Sequence, residues 1–332
     1  LGHRARRQAH ALLARAVSEP VERARHLAHA RPYEDESTAR VLMAAAESAR
    51  RDGAPDTAFE LAGLAARRTP AALGADRADR LLAAAEYACD AGRLEEAGEA
   101  AGTVLAESDS ALRRVRARLI LLRNAGQALE GAGDLIEEGL EDAAGDPESE
   151  ARLHHWAAVR GLLCGELEAA DRHARQAARA GDTDTRIAAL ATLARIRSLA
   201  GEPLAADTAL EAALALSGGT EGGPESWRLI RMRAILALDS DRVPEAHAQL
   251  TRLLTAVGEL AGVEDALAAL VALTRVQVRA GHCREALRTA DRCSRALAEA
   301  GVQAAPALYA AALAATAGGT AEAARQLAAR AV

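Results

Sequence analysis

Ala194-Arg195-Ile196-Arg197-Ser198-Leu199-Ala200-Gly201-Glu202-Pro203-Leu204-Ala205-Ala206 is the stretch from which the fold is read. Gly201 ends a helix, Ala206 follows it by five positions, and Ala194 precedes it by seven. The same phrase recurs at Gly53…Ala58, Gly92…Ala97, Gly165…Ala170, Asp241…Ala246, Gly281…Ala286 and Gly319…Ala324. In those six, the small residue seven positions earlier is Ala46, Ala85, Ala158, Ala234, Thr274 and Ala312. Glycine supplies the left-handed cap that stops a first helix. Pro55, Pro203 and Pro244 then fall in the first turn of a second helix, where a missing N–H costs little. Two small residues facing each other across the turn let the helices approach at the short end of about 8–10 Å. A fixed period of this kind means stacked helical hairpins, each leaning only on its neighbours. The expected fold is an all-α solenoid of about eight helix-turn-helix repeats.

Turns are expected near 53, 92, 133, 165, 201, 241, 281 and 319, mostly 36–40 residues apart. The interval from 92 to 165 is one repeat too long, and Gly133-Asp134-Leu135 divides it, with Gly126 at the small position and Glu138 in place of the alanine. The second helix there, roughly 134–143, is expected to be short or irregular. Residues 1–35 lie outside the grid and read as two basic helices, Arg4 to Val17 and Val21 to Ala30, with Ser18 as the cap between them. Residues 36–332 are the array. The glycine-rich stretch from Ser217 to Pro224 reads either as a hinge between sub-arrays or as a long surface loop.

Composition fits thin helix layers. The chain has 332 residues, 50% hydrophobic, with one Phe, three Tyr and two Trp. All 41 basic residues are arginine. Without lysine there is no G-x-x-x-x-G-K-[ST] phosphate loop, so no nucleotide cofactor is expected in this segment. A formal charge of −6 argues against direct DNA contact, and no apolar run approaches the ~20 residues of a membrane helix. The chain starts at Leu1-Gly2 and reads as an excised fragment. Its four cysteines (89, 164, 283 and 293) form no C-x-x-C pair. Cys293 stands where other repeats carry Ala65, Ala177 and Ala213, which suggests a small core residue in a reducing compartment.

The small-x6-Gly-x4-Ala grid resembles the tetratricopeptide repeat, whose turn glycine and second-helix alanine have this spacing. Leu94 and Leu167 hold the hydrophobic position two past the turn, with Val243 and Cys283 doing so more loosely. The units are longer than that family's consensus and lack its Trp and Tyr positions. The resemblance implies a right-handed superhelix. A second resemblance lies in residues 10–70: His10-Ala11-Leu12-Leu13-Ala14, Arg23-Ala24-Arg25-His26-Leu27-Ala28, then Ala44-Ala45-Ala46, Arg51-Asp52-Gly53-Ala54, Leu61-Ala62 and Thr69-Pro70. This looks like the junction in large ATP-binding LuxR-type transcriptional regulators of the MalT kind. It implies a nucleotide-binding module before the chain, a helix-turn-helix after it, and a cytoplasmic location. ATP belongs to that absent module, and neighbouring regulator domains and self-association are the implied contacts.

No catalytic constellation is present, and no enzyme is expected. His26 and His29 share one helix face without a cysteine or acidic ligand at matching spacing, so packing is favoured over metal. His154-His155 and His282-Cys283 give no ligand set either. In tetratricopeptide arrays, positions 13, 10, 6, 3 and 2 before the turn line the concave groove. Those positions are acidic early, at Asp79, Glu86 and Asp90, and basic later. The later residues are Arg152, His155, Arg195, Arg228, Arg231, Arg275 and Arg279, interleaved with Val159, Leu162, Ile235, Leu238 and Val278. Such a groove suits a small-molecule effector or a peptide that is anionic and partly apolar, held by forked guanidinium contacts. The alternative is a solvated helix face in an arginine-only composition. Trp156 is expected between layers, whereas Trp227 suits either the core or a ligand or subunit contact. The expected role is effector sensing or protein interaction within a LuxR-type activator, with a general peptide-binding scaffold as the alternative.

Overall fold

The computed structural model describes residues 2–126, 128–218, 224–257, 263–299 and 305–331. Among them no strand occurs. They form α1 (His3–Ala16), α2 (Pro20–Ala30), α3 (Glu36–Arg51), α4 (Pro55–Arg68), α5 (Gly74–Asp90), α6 (Leu94–Glu107), α7 (Ala111–Ala125), α8 (Gly133–Asp142) and α9 (Pro147–Cys164). The series continues with α10 (Leu167–Ala180), α11 (Thr183–Leu199), α12 (Pro203–Leu216), α13 (Pro224–Asp239), α14 (Val243–Val257), α15 (Val263–Arg279), α16 (Cys283–Glu299), α17 (Ala305–Gly318) and α18 (Ala321–Ala331). From α3 onward the helices alternate in sequence as a first helix A and a second helix B, and the all-α repeat array is as expected. Residues 219–223, at the heart of the stretch read as hinge or loop, lie outside the described residues.

The turns show why the phrase repeats. Gly53, Gly92, Gly165, Gly201 and Gly281 take positive φ between 75° and 78°, and Asp241 takes φ 60° in the same role. The residue after each donates its N–H to the carbonyl five residues back, as in Ala54 to Ala49 (2.9 Å), Glu202 to Arg197 (2.9 Å) and Arg242 to Ala237 (2.8 Å). That is the bond that satisfies an orphan carbonyl at a left-handed helix end. The flanking small residues are sealed. Ala46, Ala85, Ala158, Ala194 and Ala234 are fully buried, as are Ala58, Ala97, Ala170, Ala246 and Ala286. Ala46 shares a cluster with Ala58, Ala85 with Ala97, Ala158 with Ala170, Ala194 with Ala206, and Ala234 with Ala246. A Cβ added at Gly161 would stand 3.1 Å from that of Ala170, which measures how closely α9 and α10 approach.

Two local expectations change, at Gly133 and at the cap of α2. Helix α7 stops at Ala125, Gly126 takes φ 55°, and Gly133 is the first residue of α8. Gly133 therefore starts a helix instead of ending one, because glycines at 126, 131 and 133 lower helix propensity and end α7 early. Helix α8 is short, at ten residues. The cap of α2 is Glu19, whose carboxylate accepts from the Val21 and Glu22 N–H groups, and not Ser18. Trp227 is buried, in a cluster with Leu238, Leu250 and Val276.

The chain divides into two compact units, Leu1–Asn124 and Ala125–Val332. In the first, α2 packs on α3 and α4 through the fully buried Ala24 and the buried Ala28, so α2 joins the array's core while α1 packs on α2. In the second, A helices touch in succession, α9 on α11, α11 on α13, α13 on α15 and α15 on α17. Helices α10, α12, α14 and α16 each pack on their own A helix and on the next one.

Candidate functional site

The A helices of the second unit carry the candidate residues at one helical face, one hairpin after another. Arg195 on α11 is well enclosed, with an 11% exposed side chain. Its Nη1 bonds Asp239 Oδ2 on α13, and Ser198 Oγ donates to the same oxygen at 2.8 Å. Burial, and then the positive charge of Arg275 on α15, push the Arg195 guanidinium down to about 10. One carboxylate does not offset both. Arg275 is half-buried, and among the described residues it has neither a hydrogen bond nor an ion pair.

A second focus joins α9 to α13. His155 is half-buried, its ring tilted 54° against Trp156 at 5.8 Å between centroids. Its Nδ1 is buried and has no hydrogen-bond partner. Burial first, and the Arg228 charge second, push the imidazole down to about 3, so it is neutral across ordinary pH. Arg228 reaches Asp265 Oδ1 on α15 only at 3.5 Å. Arg231 lies one turn along α13, half-buried. Val159, Ile235 and Val278 on the same helices are half-buried, and Leu238 is buried.

Two of the seven candidates stand apart. Arg152 is exposed and gives its Nη2 to Asp182 Oδ2 at 2.7 Å and to Glu148 Oε1 at 2.5 Å. Asp182 in turn caps α11 by accepting from the Thr185 N–H at 2.7 Å, so Arg152 ties α9 to the start of α11. Arg279 bonds Asp241 Oδ1 at 2.7 Å, with both side chains largely in water. Those two guanidiniums are already occupied.

The acidic positions of the first unit are matched. Arg113 forks onto both oxygens of Asp79 at 2.8 and 2.9 Å, and Arg116 meets Glu86 at 2.8 Å. Asp90 accepts from Arg123 at 2.6 Å and from Arg50 at 3.1 Å. The Arg113 contact holds the Asp79 carboxyl below its ordinary range. Sequence reasoning missed these arginines because α7 belongs to the irregular hairpin, where the turn count breaks down. It also missed Asp265, which lies sixteen residues before Gly281, outside the five groove positions. Asp239 holds the position two before its turn, and could have been read there.

No protein-family model matches the chain, and no curated protein matches its sequence. Solved structures do. The crystal structure of a Rap protein complexed with competence and sporulation factor superposes with a TM-score of 0.64 at 14% identity, over 85% of this chain and 81% of that one. A STAND (Signal Transduction ATPase with Numerous Domains) protein with a tetratricopeptide repeat sensor from Pyrococcus horikoshii gives a TM-score of 0.49 at 11% identity, over 98% of this chain. This chain spans 52% of that protein. At such identities the likeness is one of fold, a tetratricopeptide-like helical array. No described helix is long and apolar enough to cross a membrane.

Proposed function

We propose that this chain is a sensor and interaction array, and that the arginine face of its second unit holds an anionic, partly apolar peptide or small effector. The observation that carries the reading is Arg275, a half-buried guanidinium beside Arg195 that meets no carboxylate among the described residues. A forked cation in that state gains most from an incoming carboxylate or phosphate, since charge-assisted contacts are the strong ones. Neutral His155, with an unmatched Nδ1, offers a second, orientable contact beside Arg228. The valine, isoleucine and leucine between them suit the apolar part of the ligand.

The junction in residues 10–70 favours the setting of a cytoplasmic LuxR-type activator. There, ligand binding to the array would bias a neighbouring nucleotide module, which requires that the ligand prefer one arrangement of the hairpins over another. A general peptide-binding scaffold is the second reading, favoured by the fold shared with a Rap protein solved with its factor bound. The gene's flanking sequence separates the two, since only the regulator has a phosphate loop upstream and a helix-turn-helix downstream. The groove itself is tested with a fluorescein-labelled peptide of alternating aspartate and leucine, titrated onto the whole chain by anisotropy. Arg228→Ala with Arg231→Ala, and Arg275→Ala alone, should each weaken binding by about tenfold or more. Wild-type affinity in both variants removes the assignment.

A further inference from the structure

Beyond the arginine face, the second unit carries a compact cluster of metal-ligating side chains on its B helices. His247 stands on α14, six residues past the left-handed Asp241. His282 follows the left-handed Gly281 directly, and Glu285 lies in the first turn of α16. One ring nitrogen of each histidine and a carboxylate oxygen of Glu285 lie within 4.8 Å of one another. His282 Nδ1 is 3.5 Å from Glu285 Oε2. Two ligand atoms on a tetrahedral zinc stand about 3.4 Å apart, as follows from Zn–N bonds near 2.0–2.1 Å. The two imidazoles meet edge to face, 5.4 Å between centroids with an interplanar angle of 89°.

The buried Nε2 of His247 has no hydrogen-bond partner. A surface ion pair accounts for His282 and Glu285, but it leaves that nitrogen unmatched, and an orphaned buried polar atom calls for an explanation. A shared cation accounts for all three side chains. We propose that His247, His282 and Glu285 bind a divalent transition metal of the zinc class, two imidazoles and one carboxylate filling three positions and water the fourth. Two nitrogen donors disfavour magnesium and calcium, which take oxygen ligands, and suit zinc.

The placement gives the site a consequence. His247 belongs to the hairpin of α13 and α14, while His282 and Glu285 belong to the next hairpin, and α14 and α16 both pack on α15. A bound metal clamps one hairpin to the next. It therefore stiffens the part of the array that includes Arg228 and Arg275.

The test uses the whole chain, with Zn²⁺ titrated against a chromophoric chelator and Co²⁺ as a spectroscopic probe. Wild type should take up Zn²⁺ and show the intense visible absorption of tetrahedral cobalt. His247→Ala with His282→Ala should lower zinc affinity by at least about tenfold, since losing a ligand costs more than losing its outer-shell support, and abolish that absorption. Glu285→Gln, at an exposed position that leaves folding intact, should weaken binding on its own and carries the test if the double variant does not fold. His154→Ala with His173→Ala, which removes the other close imidazole pair of this unit (Nδ1 to Nδ1 3.0 Å), should bind as wild type. The site is overturned if wild type binds no Zn²⁺, if its cobalt form is octahedral, or if neither the double variant nor Glu285→Gln weakens binding. Loss in Cys283→Ser with retention in Glu285→Gln moves the third ligand to the neighbouring thiol and overturns the assignment to Glu285.

Discussion

The same repeat positions carry opposite charge balances in the two units. On α5 they are acidic, and every carboxylate meets an arginine from a neighbouring A helix: Asp79 with Arg113, Glu86 with Arg116, Asp90 with Arg123 and Arg50. On α11, α13 and α15 they are basic: Asp239 bonds Arg195, Asp241 bonds Arg279, Asp265 stands 3.5 Å from Arg228, and Arg275 meets no acid among the described residues. A matched ladder is a structural element, holding adjacent hairpins in register. An unmatched one costs some stability in the isolated chain and recovers it when an anion arrives. The fold is common to both units; the stoichiometry of charge is what differs.

The largest expected effect tests the structural half of that contrast. Arg80 on α5 is buried, and it forks onto Glu36 at 2.8 and 2.7 Å while also bonding Thr69. Arg80→Ala takes the forked, buried partner from Glu36, leaving it only the exposed Arg40 at 3.3 Å. It should cost about 3 kcal/mol in urea unfolding, toward the low end for a broken buried pair because Glu36 keeps Arg40 and some water. Arg228→Ala, with its long contact to Asp265, should cost far less. Equal losses would erase the distinction between the units.

Next comes a property the units share. Ala85→Leu in the first and Ala206→Leu in the second should each overpack a helix–helix approach and cost about 2 kcal/mol. A loss confined to one unit would show that the small-residue grid does not do the same work in both.

The third effect is acid sensitivity, about 1–2 kcal/mol. His155 is neutral in the folded second unit because burial, helped by Arg228, holds it at about 3 against an ordinary 6.5. The unfolded chain therefore takes up the proton first, and stability falls as pH drops below 6.5 toward 3. Burial likewise lowers His154 and His173 in the same unit. In the first unit, Arg80 lowers Glu36 and Arg113 lowers Asp79, so their contribution is complete above the ordinary carboxylate range and is lost only below it. Both tryptophans lie in the second unit. Their fluorescence should thus report an acid transition at higher pH than total helicity does, and His155→Gln should move that onset down. Coincident transitions would refute the separation.

How far the sequence reached depends on the kind of interaction. The hairpins were legible because Gly201, Ala194 and Ala206 act locally, through backbone handedness and contact between side chains twelve positions apart. Gly133 misled because glycines that start and stop helices look alike without the hydrogen bonds. The basic face was legible as a list of arginines. Their standing was not, because whether Arg152 or Arg275 has a partner depends on Asp182 and on the acids of other helices. The pairing of His247 with His282 was hidden in the same way, one repeat apart in sequence and adjacent only once hairpins stack.

A fourth variant scales the matched ladder at the surface. Arg113→Ala should cost about 1 kcal/mol, since the fork onto Asp79 is well formed but half in water, where exposed pairs contribute little. The result separates the first unit's ladder from ornament: no loss at all would mean that its carboxylates are content with solvent.

Arg275→Ala should give the smallest effect and the opposite sign. Removing a guanidinium normally deletes an ion pair, but here it deletes a repulsion, the one by which Arg275 helps pull down Arg195. The expected change is a gain within about 0.5 kcal/mol, the scale of a substitution that breaks no favourable contact. Salt distinguishes this from a general loosening. Raising ionic strength from 0.15 M to 1 M shortens the screening length from about 8 to about 3 Å, so it should stabilise wild type slightly and leave Arg275→Ala unmoved. If the variant is instead destabilised, with the same salt response as wild type, Arg275 is an ordinary packing residue. The second unit then has no standing demand for an anion, and its arginine face becomes another solvated helix surface.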